Sequence, residues 1–122
     1  MIMIKRLFVS ATILLMLDFI YLSLTKPLFE DLIVNVQRVI LQFKPLGAII
    51  CYFFLILGLN YFIIQHKKSI VDAFILGLVI YAVYDSTNYA VLKKWDPYLA
   101  IMDTLWGGTL FALTTHLTYI VV

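Results

Sequence analysis

Four apolar runs, Leu7 to Leu24, Leu46 to Ile64, Ile70 to Leu92 and Tyr98 to Ile120, occupy most of this chain. Each is about 20 residues long, enough as a helix rising about 1.5 Å per residue to cross about 30 Å of hydrocarbon. In lipid a backbone must satisfy its own hydrogen bonds, and separate runs of this length do so as α-helices. The fold class that follows is all-α: an integral membrane four-helix up-down bundle, with residues 1–122 forming a single transmembrane domain. Composition agrees. Of 122 residues, 64% are hydrophobic and 13% charged, and the mean hydropathy of +1.03 exceeds what a soluble domain of this size can bury.

The segments between the runs set the topology. Lys5 and Arg6 before the first run resemble the start of a signal peptide, but Asp18 interrupts the apolar region and Ser23-Leu24-Thr25 is a poor cleavage site, so a retained first helix is expected. From about 27 to 43 the pattern changes. Pro27 suits the first turn of a new helix, and Leu28, Phe29, Leu32, Ile33, Val36, Val39, Ile40 and Phe43 recur at helical spacing, with Glu30, Asp31, Asn35, Arg38 and Gln42 mostly opposite. That predicts one amphipathic interfacial helix between spans one and two. Short polar turns follow at 65–69 and 93–97, with Asp96 as a helix cap and Pro97 as the first helical residue. Both termini then share a side. Lys5, Arg6, Lys67 and Lys68 lie on that side, against Lys26, Arg38, Lys44, Lys93 and Lys94 on the other, so the positive-inside rule has little difference to act on. The first helix points to a cytoplasmic N-terminus.

Asp18, Asp85 and Asp103 lie inside the spans. A charge at that depth costs roughly 2.5–3.5 kcal/mol on insertion scales, and such residues normally face the bundle interior or a wet cavity. Spans one and three run in one direction and span four runs back, which puts each aspartate roughly 9–11 Å inside the same end of the bundle. Faces agree as well: Asp18 with Tyr21, Leu22 and Thr25; Tyr81, Tyr84 and Asp85 with Asn88; Asp103 with Gly107, Leu110, Thr114 and Thr118, and Trp106 at the edge. The expected site is therefore a polar pocket with Asp18, Asp85 and Asp103 facing one another as candidate catalytic groups. Tyr21, Tyr84, Asn88, Trp106 and Gly107 complete it, and the interfacial helix roofs it and brings Arg38 or Lys44 close.

Ala82, Ser86 and Ala90 form a small-residue stripe suited to close helix packing, as do Gly107 and Gly108. His66 and His116 fall at the opposite end as interfacial side chains, which disfavours a His–carboxylate metal site. Cys51 is alone in an apolar run and reads as a buried, inert thiol, with no disulfide framework or thiol metal site. The net charge of +2, without a Lys/Arg block, excludes a nucleic-acid partner.

Leu17-Asp18-x-x-Tyr21-Leu22, Tyr84-Asp85-x-Thr87-Asn88 and Asp103-x-x-Trp106-Gly107 together resemble the signature segments of the domain-of-unknown-function family 2177 of small predicted membrane proteins. The resemblance covers nearly the whole chain. It implies four predicted spans and brings with it no reaction, substrate or cofactor.

Three functional readings follow from the residues. A pocket near headgroup level suits binding or acting on a lipid or other amphiphile, with carboxyls for acid–base work. Three carboxyls and an amide also form a donor set for Mg²⁺ or another hard cation, although the cofactor stays unknown, and no G-x-S-x-G or H-E-x-x-H motif is present. Alternatively, the same groups form a structural polar network in a scaffold or accessory protein. The third reading is a proton, ion or solute transporter, which at this size requires a homo-oligomer. In each, the lipid bilayer is the surrounding partner.

Overall fold

The computed structural model describes residues 2–37, 44–92 and 94–122. Four helices follow one another: α1 (Ile2–Gln37), α2 (Pro45–Leu59), α3 (Ile70–Val91) and α4 (Pro97–Val121), with α2 extended by a π-helical turn at Asn60–Ile64. Among the described residues, α1, α2 with its π turn, and α3 are long and apolar enough to cross a membrane. At 25 residues α4 matches them in length, but it is less apolar because it is the central helix. It buries Asp103, Gly107, Gly108, Thr114, Thr115 and Thr118. Large apolar side chains such as Phe8, Phe19, Leu24, Phe53 and Ile101 instead point outward, the distribution expected of a bundle whose solvent is lipid. This is a multi-pass helical membrane protein.

The helices pack most closely as α3 on α4, then α1 on α4, with α2 resting mainly against α1. A core of Leu14 from α1, Leu55 and Leu59 from α2, Ala73 from α3 and Leu110 and Phe111 from α4 joins all four. The α3–α4 contact is glycine-mediated. A Cβ added at Gly77 would press into the Gly107 carbonyl and lie 2.8 Å from Phe111 Cγ, and one at Gly107 would run into the Tyr81 ring. Ala73, Gly77, Tyr81 and Asp85, spaced by four, make the inward face of α3. The expected stripe of Ala82, Ser86 and Ala90 is rotated about 100° away, leaving Ser86 and Ala90 exposed.

Two local features differ from the sequence pattern. The separate interfacial helix expected from 27 to 43 is not seen over its described part: residues 27–37 continue α1 without a break, with Pro27 inside the helix. Its remainder, 38–43, including Arg38, lies outside the described residues. Proline removes one backbone donor, and tertiary packing outweighs that local signal. Leu32 is buried against Trp95 and Ala100, with Phe29, Ile33 and Leu99 around them. At 36 residues, α1 is about 54 Å long and outreaches a hydrocarbon layer of about 30 Å. The second feature is the π turn. Asn60 Nδ2 donates to the Ile56 carbonyl at 2.9 Å and to Ser10 Oγ at 3.0 Å, while Gln65 N–H reaches back five residues to the Asn60 carbonyl at 2.8 Å. A side chain inserted into the ladder widens it by one residue.

The ends are tied as the polar turns require. Ser69 Oγ accepts from Asp72 N–H at 3.0 Å and Asp96 Oδ1 from Tyr98 N–H at 2.8 Å, capping α3 and α4. At the N-terminal end of the bundle, the Tyr119 hydroxyl donates to the Lys68 carbonyl at 2.8 Å. Gly107→Ala is expected to cost about 1–3 kcal/mol through overpacking against Tyr81. Gly58→Ala, with nothing within 4 Å of the new methyl, is expected to be neutral or mildly stabilising. Equal thermal stabilities of the two variants in detergent would contradict this packing.

Candidate functional site: a carboxyl-lined cavity

Asp18 lies midway along α1, 5% exposed. Its Oδ1 accepts from the Trp106 indole N–H of α4 at 2.9 Å, and its Oδ2 accepts from the Tyr52 hydroxyl of α2. Three residues further along α1, the Tyr21 hydroxyl donates to Asp103 Oδ1 at 3.1 Å. The Tyr21 and Trp106 rings stack between these two bonds, 4.7 Å apart and within 3° of parallel. Each helix thus offers a carboxylate and, one turn later, an aromatic donor. Because α1 and α4 run antiparallel, each carboxylate meets the other helix's donor. Cross-helix donors of this kind satisfy polar groups that lipid cannot.

Beside this clasp is a cavity of about 400 Å³ between α1, α2, α3 and the start of α4. Asp18, Tyr21, Tyr81, Tyr84 and Asp103 supply its polar groups, and Leu22, Phe29, Ile33, Leu55, Ile80 and Trp95 most of its apolar wall. Cys51 of α2, expected to be buried, and Tyr84 of α3 line it and are also exposed on the bundle surface, so it reaches the lipid-facing side between those helices; a membrane bundle turns apolar side chains outward as well as inward. Phe29 and Ile33, from the helical continuation past Pro27, close the far end. A second cavity, about 310 Å³, lies at the opposite end among Arg6, Asn60, Gln65 and apolar neighbours, away from the aspartates.

Asp85 sits behind the cavity, 1% exposed. Thr104 Oγ1 donates to its Oδ2 at 3.4 Å. Among the described residues its Oδ1 has no hydrogen-bond partner, nor has the indole N–H of Trp95, which is 6% exposed. Trp95 and the Asp103 carboxyl are both close to the Asp85 carboxyl.

The candidate residues therefore separate. Asp18, Tyr21, Tyr84 and Asp103 share the cavity, while Trp106 forms part of the clasp beneath it. Gly107 is buried against Tyr81 and shapes the wall without lining it. Asn88 is half-buried outside the lining residues, and its carbonyl accepts from Leu92 N–H at the end of α3. Of the three carboxyls, Asp18 and Asp103 line the cavity, while Asp85 lies beside Asp103 but outside the lining. Donors on α2 and α4 hold Asp18, and Thr104 donates to Asp85. Among the described residues no three His, Cys, Asp or Glu side chains are grouped to hold a metal ion. Lys44 is exposed and does not line the cavity. Sequence reasoning missed Tyr52, Thr104 and Trp95 as members. Each is a hydrogen-bond donor at the same end of the bundle as the aspartates, which is the signal that was available.

Over residues 3–120 the chain matches the family described as "Predicted membrane protein (DUF2177)". The chain belongs to this family. No curated protein and no solved structure matches it. In this DUF2177 member both halves of the clasp, Asp18 with Tyr21 and Asp103 with Trp106, fall inside the matched region.

Trp106→Phe keeps a ring against Tyr21 but removes the indole donor to Asp18. Its expected cost is about 1–2 kcal/mol, falling to near zero in an Asp18→Leu background. A double-mutant cycle on detergent unfolding measures this, and purely additive losses would remove the bond from the account.

Proposed function

We propose that the protein binds a lipid or other amphiphile, with the polar head among Asp103, Asp18 and the tyrosines and the chain leaving toward lipid between α2 and α3. The observation that carries this reading is the cavity: about 400 Å³, within the roughly 300–1,000 Å³ usual for small-molecule sites, apolar on its walls and carboxyl-bearing at its base. Its depth supports the same reading. Asp85 and Asp103 each lie six residues inside their helix ends, Val91 and Pro97, hence about 9 Å in, near the level where head meets chain. Asp103 gives one oxygen to Tyr21 and lines the cavity. It is thus positioned to bond a head group and is chemically capable of exchanging a proton with it. With the N-terminus cytoplasmic, as Lys5 and Arg6 favour, the cavity lies toward the outer leaflet.

The structural-network reading is favoured at Asp18, where both oxygens are taken by cross-helix donors. The two readings divide the cavity's carboxyls: Asp18 lines the cavity while holding helices together, and Asp103 serves the ligand. Transport fits less well. Buried Leu14, Leu110 and Phe111 stand one turn beyond the clasp, between the cavity and the Thr114/Thr118 stripe.

Native mass spectrometry of protein taken from membranes into a neutral detergent tests the proposal. The expected result is one retained amphiphile per chain, with at least a ten-fold loss in an Ile80→Trp variant that fills the cavity. A bare wild-type protein, or equal retention by both, would overturn it.

A further inference from the structure

We infer that the head group taken by this cavity carries a positively charged nitrogen, making the ligand an ammonium-bearing amphiphile. This deepens the amphiphile reading above and rests on it.

The polar lining consists of the Asp18 and Asp103 carboxyls and tyrosine hydroxyls, and no Lys, Arg or His is among the lining residues. Asp85 adds a third carboxyl directly behind, 1% exposed. Buried carboxyls are best satisfied by a paired positive charge, and among the described residues this wall supplies none. An anionic head would be repelled by any of these carboxyls that ionises.

The rest of the wall fits a cation. Tyr21, Tyr81, Tyr84, Phe29 and Trp95 line one small volume, and aromatic faces attract ammonium groups through the ring quadrupole, most strongly where water is excluded. Carboxyl plus aromatic wall is the combination that accepts a nitrogen cation from both sides. An unpartnered donor adds a second requirement. Trp95 lines the cavity, is more than nine-tenths buried, and among the described residues its indole N–H has no acceptor. A hydroxyl close to the nitrogen would accept from it.

A primary amine and a quaternary ammonium share this chemistry, and the test separates them. The chain has two tryptophans. Trp95 lines the cavity and Trp106 lies in the clasp beneath it, so intrinsic fluorescence reports on the site. The protein in a maltoside detergent is titrated with decylamine, decyltrimethylammonium, decanol and decyl phosphate. Expected is a saturable change with at least one ammonium compound, half-complete at a concentration at least ten-fold below that for decanol and decyl phosphate. Preference for the primary amine assigns selection to carboxyl hydrogen bonds; preference for the quaternary one assigns it to the aromatic faces. Asp103→Asn is expected to weaken the ammonium response ten-fold or more. If that variant does not fold, the wild-type series decides. Decanol or decyl phosphate binding as tightly as the ammonium compounds would overturn the charge assignment and leave the amphiphile cavity standing. No saturable response to any of the four would overturn both.

Discussion

The fold depends on a reciprocal clasp in which two antiparallel helices exchange carboxylate–donor bonds across a stacked pair of rings. Asp18 and Tyr21 on α1 meet Trp106 and Asp103 on α4. Each carboxyl is costly alone at that depth, and each aromatic donor gives its hydrogen bond to the carboxyl of the opposite helix. Once joined, the four fix the rotation of α1 and α4 and their relative height. A shift by one residue would turn both carboxylates away from their donors.

The other helices take their places from this pair. Tyr52 hangs α2 on the free oxygen of Asp18, while glycines bring α3 close to α4. α2 and α3 are thereby held by different partners and not by each other, and the space left between them is the cavity. Bilayer solvation permits this arrangement. The outer surface is apolar, and α4 packs against both α3 and α1. Its small and hydroxylated residues allow close approach without a large apolar core.

Much of this was legible in the sequence. Run length predicts the helices, and helix direction with residue spacing puts Asp18, Tyr21, Asp103 and Trp106 at one end of the bundle. The cap at Asp96 followed from Asp-Pro. The rest was not legible because it depends on tertiary packing. Pro27 reads locally as a helix start, yet burial of Leu32 against Trp95 carries the helix through it. Tyr52 looks like one more aromatic in an apolar run until α2 is placed beside Asp18. Asp85 matches the other two aspartates in depth and lies beside Asp103, yet stays outside the cavity lining, since a residue count fixes height along a helix better than the neighbour a side chain selects.

The most direct measurement is an experimental structure of the protein in a lipid nanodisc. The account predicts Asp18 bonded to Trp106 and Tyr52, α2 and α3 apart, and elongated density between them whose head lies about 3 Å from an Asp103 oxygen. α2 closed onto α3 with no space beside Asp103, or Asp18 turned toward lipid, would contradict it.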